Sequence, residues 1–247
     1  MHAEEHSLFF STDIVEDRVV FSEEECHHMV SVLRAEPGAI IRATDGLGHI
    51  YRCSLDSFDK KTREASIVEI LQQPVPAPRI HAYIGMPERE PFEDALTNLT
   101  ALGVSEITPV SCRFCQHKWW SAWNKYEERF TKKMTAAIKQ SMNAWMPKLN
   151  APKPFAAVAT SAAASLFVVA DGSGKPCSDV LATTSPVNEM SCMVGPPGGL
   201  APEELELLVQ SGAHCVSLGR TRLRTELAAV VLGSMVMQSA SEKQCGS

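Results

Sequence analysis

The stretch from Met190 to Gly233 constrains the fold most. A short apolar strand, Met190 to Val194, runs directly into Gly195-Pro196-Pro197-Gly198-Gly199, a turn whose three glycines leave backbone amides and carbonyls unshielded by side chains. A helix is expected from about Pro202, because proline suits the first helical position and Glu203 and Glu204 complement the positive end of the dipole. It should stop near Gly212. A second strand, His214 to Leu218, leads to a second glycine turn at Gly219, the basic cluster Arg220, Arg222 and Arg224, and a last helix with Thr225 as its N-cap. Two successive strand-turn-helix units imply a parallel sheet whose loops gather at one end, where open α/β sheets bind ligands. Neither turn carries G-x-G-x-x-G, and no G-x-x-x-x-G-K-[ST] occurs in the chain.

The preceding residues extend the same sheet. Arg79 to Ile84 reads as a strand, Phe92 to Leu102 as a helix closed by Gly103, and Val104 to Val110 as another strand. Leu166 to Ala170 is expected as a further strand, with Asp171-Gly172-Ser173-Gly174 as a loop at the ligand edge or as a flexible acidic linker. The proline-rich join Gln72 to Pro78 divides the chain into domains 1–73 and 74–247. Before it, Ser22 to Leu33 reads as a short capped helix. Three strands (Ala39 to Thr44, His49 to Leu55, Glu64 to Leu71) with tight turns between the first two suggest a small barrel.

Charge is unevenly spread. The net charge of −6 argues at first against a nucleic-acid partner, but residues 1–73 hold 7 Lys and Arg against 14 Asp and Glu, while residues 74–150 hold 10 against 7. Arg113 to Lys148 concentrates eight basic residues and all four tryptophans, Trp119, Trp120, Trp123 and Trp145. Cations neutralise phosphates and flat rings stack on unpaired bases, so the mixture suits an RNA surface; the competing reading is a packed aromatic cluster beneath a solvated helix face. Cys112-x-x-Cys115-x-His117 supplies three zinc-type donors where a structural site needs four, and His27 and His28 point in different directions on a helix, so no metal is expected. Eight scattered cysteines suit a reducing compartment. With no apolar run near the roughly 20 residues of a membrane span and an acidic start, a cytoplasmic protein is expected.

The order GPPGGLAPEE, SLG and RLRTELAA resembles the C-terminal signature of RsmE-type SPOUT methyltransferases, GPEGG followed by LG-x-x-ILRTETA. HHMVSVLRAEPGAIIRATDG resembles that family's PUA-like domain, LGVSEITPV its ELGV-x-x-I-x-P segment, and AAIKQSMNAWMPKL its A-x-EQS-x-R-x-x-x-P-x-I helix. The chain departs from the pattern at Asn98, Ala101, Lys139, Asn143 and Pro197, where the family carries Lys, Glu, Glu, Arg and Glu.

The resemblance implies an α/β fold with a SPOUT-type deep trefoil knot, preceded by a PUA-like RNA-binding β-barrel. It implies methylation of N3 of one uridine in the 16S rRNA of the 30S subunit by a homodimer using S-adenosylmethionine, with neither DNA nor a membrane as partner. Backbone groups at Gly195, Gly198, Leu218, Gly219 and Leu223 would hold the cofactor, in a pocket also formed by Ala170, Pro196, Gly199, Arg224 and Thr225. Arg224 and Arg222 are the candidate catalytic residues, as cations that stabilise the anionic base once the N3 proton has left. Arg34, Arg113, Lys118, Arg129, Lys132 and Lys133 are the candidate RNA contacts. The five departures leave open a relative that binds RNA or S-adenosylmethionine with altered or lapsed activity.

Overall fold

The computed structural model describes residues 7–32, 35–36, 38–55, 63–115, 119–162, 165–185 and 187–245. The chain divides into two compact units, one of Met1–Val75 with Thr135–Met146, the other of Pro76–Met134 with Pro147–Ser247.

The first unit contains β1 (Leu8–Phe10), β2 (Asp13–Val15), β3 (Arg18–Val20), α1 (Glu23–His27), β4 (Ile40–Thr44), β5 (His49–Ser54) and β6 (Glu64–Gln72). The strands form one sheet in the order β1-β4-β5-β6-β3-β2, antiparallel except where β1 meets β4. β4, β5 and β6 are the three strands legible in the sequence; β1 to β3 are three residues each, too short for a period-two pattern to register. Among the described residues the pairing runs from edge to edge without closing into the expected barrel. Phe9, Phe21, Met29, Ile41 and Leu55 fill its core.

Ser22 caps α1 by accepting the Glu25 amide at 3.2 Å, but the α-helix is five residues long and widens into a π-turn over His28–Val32. Leu33 and Arg34 lie outside the described residues. The Asp45-Gly46 turn is held by its own aspartate, which accepts the Leu47 amide at 2.7 Å, the Tyr51 hydroxyl at 3.0 Å and pairs with His49 at 2.6 Å. Residues 135–146 complete this unit: Lys139 pairs with buried Glu25, the Gly48 amide donates to Ala144, and the Trp145 ring covers Gly48 so closely that a Cβ there would lie 2.3 Å from it. The Trp145 indole N–H donates to the Pro74 carbonyl at 2.9 Å, so this tryptophan is a packing residue.

The second unit contains β7 (Arg79–Gly85), α2 (Arg89–Leu102), β8 (Glu106–Ser111), the start of α3 (Glu127–Ser141), β9 (Lys148–Leu149), β10 (Lys153–Pro154), α4 (Phe155–Ser161), β11 (Leu166–Pro176), α5 (Cys177–Thr183), β12 (Glu189–Val194), α6 (Pro202–Gln210), β13 (His214–Ser217) and α7 (Thr225–Cys245). Its sheet is parallel throughout, in the order β10-β8-β7-β12-β11-β13 with β9 beside β8. Such strands are covered on both faces, which explains the continuous buried run Met190–Val194 in β12. Gly103 ends α2 in the left-handed region at φ 92°.

Along the last helix Ala229, Leu232 and Val236 are buried, while Leu227 is 50% exposed and Val230, Val231 and Met235 are half-buried. The helix is apolar on nearly every side, so periodicity cannot select the inward face. Close approach does, because Gly233 packs against Leu99 and Leu102 of α2. The helix continues through Cys245.

The other three tryptophans build an aromatic cluster. Trp119 and Trp120 stack at 3.5 Å, and Phe92 meets Trp119, Trp120, Trp123 and Phe130 at ring distances of 5.3–5.9 Å. Trp120 and Trp123 are buried, so packing rather than base stacking accounts for them.

Candidate active site

At the carboxyl ends of β11, β12 and β13 the chain leaves the sheet three times, and the three departures enclose one cavity of about 980 Å³. The first is a bulge within β11: Ala170 and Lys175 both face Val216 of β13, so Asp171–Gly174, expected as a loop or a linker, is an irregular stretch of a strand that runs on to Pro176. Its turn is fixed by Asp171, whose carboxylate accepts the amide of Ser173 at 2.9 Å and its hydroxyl at 2.7 Å.

The second departure is the glycine turn after β12. At Gly195 and Gly198 its backbone is packed too tightly for a side chain. A Cβ on Gly198 would lie 2.7 Å from Cβ of Phe114, and one on Gly195 3.0 Å from the Leu200 amide. Gly85, at the end of β7, has Pro196 N 2.4 Å from where its own Cβ would be. The Gly199 amide closes the turn on the Pro196 carbonyl at 2.7 Å. The third departure follows β13, where Gly219 at φ 142° takes a conformation closed to other residues, and the Ser217 hydroxyl donates to its carbonyl at 3.1 Å.

Side chains then tie the departures together. Arg222 donates from Nη2 to the Pro197 carbonyl at 2.7 Å. Thr225, expected as the N-cap of α7, is instead inside the helix, and its hydroxyl donates to the Gly195 carbonyl at 3.1 Å. It therefore anchors the glycine turn rather than the helix end. Arg224 is exposed and its side chain has no ion-pair partner among the described residues. All ten residues expected around a cofactor line this cavity, as do Arg222, Glu226 and, from α2's approach, Glu88 and Pro91. Sequence reading missed Glu88; its only signal is a position just before a helix, and its carboxylate makes no capping bond.

The basic residues behave differently. Arg129 binds Glu93 in a bidentate pair, Nε to Oε1 at 2.6 Å and Nη2 to Oε2 at 2.9 Å, and Lys133 and Arg89 approach the same carboxylate at 3.4 and 3.3 Å. Glu93 is 2% exposed; burial pushes its carboxyl upward, yet the hydrogen bonds from Arg129 and Lys133 outweigh that and hold it below the usual range. Arg129 and Lys133 are thus committed to a buried charge, a role that the RNA reading did not foresee. Arg113 pairs with Glu203 at 3.4 Å while its amide donates to Glu204, and Lys132 pairs with Glu128 at 2.7 Å. Lys118, like Arg34, lies outside the described residues.

Cys112 and Cys115 are neighbours in one tight turn, the Cys112 amide donating to Cys115 Sγ at 3.2 Å. The hydrogen bond between the thiols, reinforced by burial, pushes Cys112 up; the same bond holds Cys115 down. His117 lies outside the described residues, so the third expected donor is not part of this geometry.

Residues 74–237 match the model of the RNA methyltransferase domain. The chain belongs to the RNA methyltransferase family. Residues 21–68 of this RNA methyltransferase match a second model, the RNA methyltransferase PUA domain. It is 27% identical over 235 residues to the ribosomal RNA small subunit methyltransferase E of Mycobacterium bovis, covering 91% of this chain and 89% of that one. The protein of the same name from Bacillus subtilis is 25% identical over 225 residues, 87% and 88% of the two chains. Among solved structures, a probable rRNA-methyltransferase from Porphyromonas gingivalis superposes with a TM-score of 0.81 at 26% identity, over 95% of this chain and 98% of that one. The Neisseria gonorrhoeae ribosomal RNA small subunit methyltransferase E, solved with S-adenosyl methionine, shares the fold at a TM-score of 0.82 and 21% identity, over 95% and 98%. The RNA methyltransferase reading from the two glycine turns therefore stands, as does the PUA-like character of the N-terminal region.

Proposed function

We propose that this RNA methyltransferase uses S-adenosylmethionine to methylate N3 of one uridine in the 16S rRNA of the 30S subunit. The observation that carries the reading is the convergence of all ten expected cofactor residues on one cavity. Its volume of about 980 Å³ suits a small-molecule site, and its glycine turns leave backbone groups open to a ligand. The names of the relatives support the RNA substrate.

Bound there, S-adenosylmethionine supplies a methyl group already activated by its sulfonium, so the protein's part is binding, orientation and charge. Thr225 and Arg222 hold the glycine turn, through the Gly195 and Pro197 carbonyls, in the shape that receives the cofactor. Arg224 lines the same cavity, without an ion-pair partner among the described residues, and stabilises the negative charge of the deprotonated uracil. Pro197 is compatible with this scheme although the family pattern has glutamate there, because Arg222 uses its backbone carbonyl.

In this reading residues 1–73 are the RNA-gripping PUA-like domain and residues 74–247 the methyltransferase domain, knotted through the loops around the cavity. Arg113 and Lys132, in exposed pairs worth little, exchange their carboxylates for phosphates at small cost; Arg129 and Lys133, held by Glu93, contribute less. Arg34 and Lys118 complete the RNA contacts. The outward face of α7, with Leu227 50% exposed, suits a homodimer. No helix of the described residues is long and apolar enough to cross a membrane, in keeping with a cytoplasmic site of action.

The test is calorimetric titration of the purified protein with S-adenosylmethionine, followed by methyl transfer to undermethylated 30S subunits and mass mapping of the product. Micromolar binding with one new N3-methyluridine is expected. Binding without transfer would favour the lapsed or retargeted relative, and absence of binding would overturn the reading.

A further inference from the structure

We propose that Glu88 accepts the proton from the nitrogen that is methylated; the inference rests on the methyltransferase reading above. Every residue lining the cavity comes from the stretches 170–172, 194–200 and 217–228, except Glu88 and Pro91. Those three stretches are the expected cofactor loops. A nucleophile must reach a sulfonium methyl from the side opposite sulfur, so a proton acceptor for it fits the wall that the cofactor loops do not make. Among the described residues Glu88 is the one ionisable side chain on that wall.

The other two carboxylates around the cavity are less suited. Asp171 is occupied by the amide and hydroxyl of Ser173. Glu226 lies in the first turn of α7, directly after Thr225, on a segment that belongs to the cofactor side and where the helix dipole accounts for an acidic residue. Glu88 occupies the N-cap position of α2 without using its carboxylate as a cap, and it has no ion pair among the described residues.

Its backbone is nevertheless firmly placed. The Trp119 indole N–H donates to the Pro87 carbonyl at 3.2 Å, Pro87 is buried, and the next turn of α2 is fixed through Glu93 by Arg89, Arg129 and Lys133. Three residues before Glu88, Gly85 touches Pro196, which brings the end of β7 against the glycine turn. The aromatic cluster and the buried ion network therefore serve as the foundation for one free carboxylate at the cavity wall.

The step balances. The N3–C bond forms as the S–C bond breaks, the S–C electron pair leaves with sulfur as a neutral thioether, and the N3 proton passes to the Glu88 carboxylate. Arg224 compensates the charge on the ring as that proton departs.

The test compares wild type with Glu88→Gln and Glu88→Asp in S-adenosylmethionine titration and in single-turnover methyl transfer to undermethylated 30S subunits across pH. Glu88→Gln should bind cofactor within about twofold of wild type and transfer methyl about 10²–10⁴-fold more slowly. Its residual rate should climb about tenfold per pH unit near neutrality, because only pre-ionised uracil then reacts, where wild type is flatter. Glu88→Asp should recover part of the rate and the flatter profile. A Glu88→Gln rate equal to wild type, or one lowered by the same factor at every pH, would overturn the assignment. Absence of transfer by wild type itself would overturn the methyltransferase reading, a failure visible before any variant is made.

Discussion

Arg222 Nη2 lies 2.7 Å from the carbonyl oxygen of Pro197, so an arginine from the third loop holds the backbone of the second. Arg222→Ala should weaken S-adenosylmethionine binding about tenfold, the order expected for one charge-assisted hydrogen bond that organises a ligand loop. Because the acceptor is main chain, Pro197→Glu should leave that affinity nearly unchanged. Calorimetry on the two variants checks both outcomes.

Arg224→Ala should separate binding from chemistry. The side chain is exposed and does not brace either glycine turn. Folding and cofactor affinity should persist while methyl transfer falls about a hundredfold or more, the range for loss of a charge-stabilising group. Wild-type turnover in this variant would remove Arg224 from the mechanism.

The contact between Gly198 and Phe114 predicts a coupled pair. Gly198→Ala puts a methyl group 2.7 Å from Cβ of Phe114, a residue 47% exposed, and should lower cofactor affinity by displacing the turn. Adding Phe114→Gly, which removes that Cβ, should restore much of it, and a double-mutant cycle measures this directly. No such relief is open to Gly85→Ala, whose Cβ would meet the backbone nitrogen of Pro196 at 2.4 Å, and that variant should lose several degrees of melting temperature.

Acid should weaken the fold before its carboxylates titrate. His81 stacks on Tyr83 at 3.9 Å and pairs with the Thr108 hydroxyl at 2.7 Å. Burial, with help from Lys153 and Lys148 and against the pull of Glu106, lowers its pKa to about 4. In the unfolded chain it titrates near 6.5, so between about 6.5 and 4 the unfolded state binds the extra proton and stability falls as pH falls. Melting temperature should drop by several degrees across that window, and His81→Gln, less stable at neutral pH, should show a shallower drop.

The candidate site was legible in the sequence to the extent that backbone chemistry makes it. Glycine turns directly after apolar strands reveal themselves because few other roles require three glycines in five residues. Thr225 shows the limit of such reasoning. Its place at a helix start suggests a cap, and only the fold brings the Gly195 carbonyl, 30 residues away, to its hydroxyl. Arg129 and the tryptophans likewise carry the same signature whether they meet RNA or a buried neighbour, and Glu93 and Phe92 decide the matter from a different helix. In α7 the difficulty is an excess of signal, since apolar residues on nearly every side mark no face as inward.

The bulge in β11 has a consequence for how this site can vary. A strand that leaves its neighbour opposite Val216 and rejoins it opposite the same residue leaves the length of what lies between open, with one fixed point at Gly174, where a Cβ would lie 2.5 Å from the Val216 nitrogen. Asp171 to Ser173 is therefore a variable insert in a fixed frame that includes Gly174. Lengthening or rewriting it would reshape one wall of the cavity while every hydrogen-bonded register beneath stayed as it was, so changes in selectivity and changes in foldability can accumulate here independently.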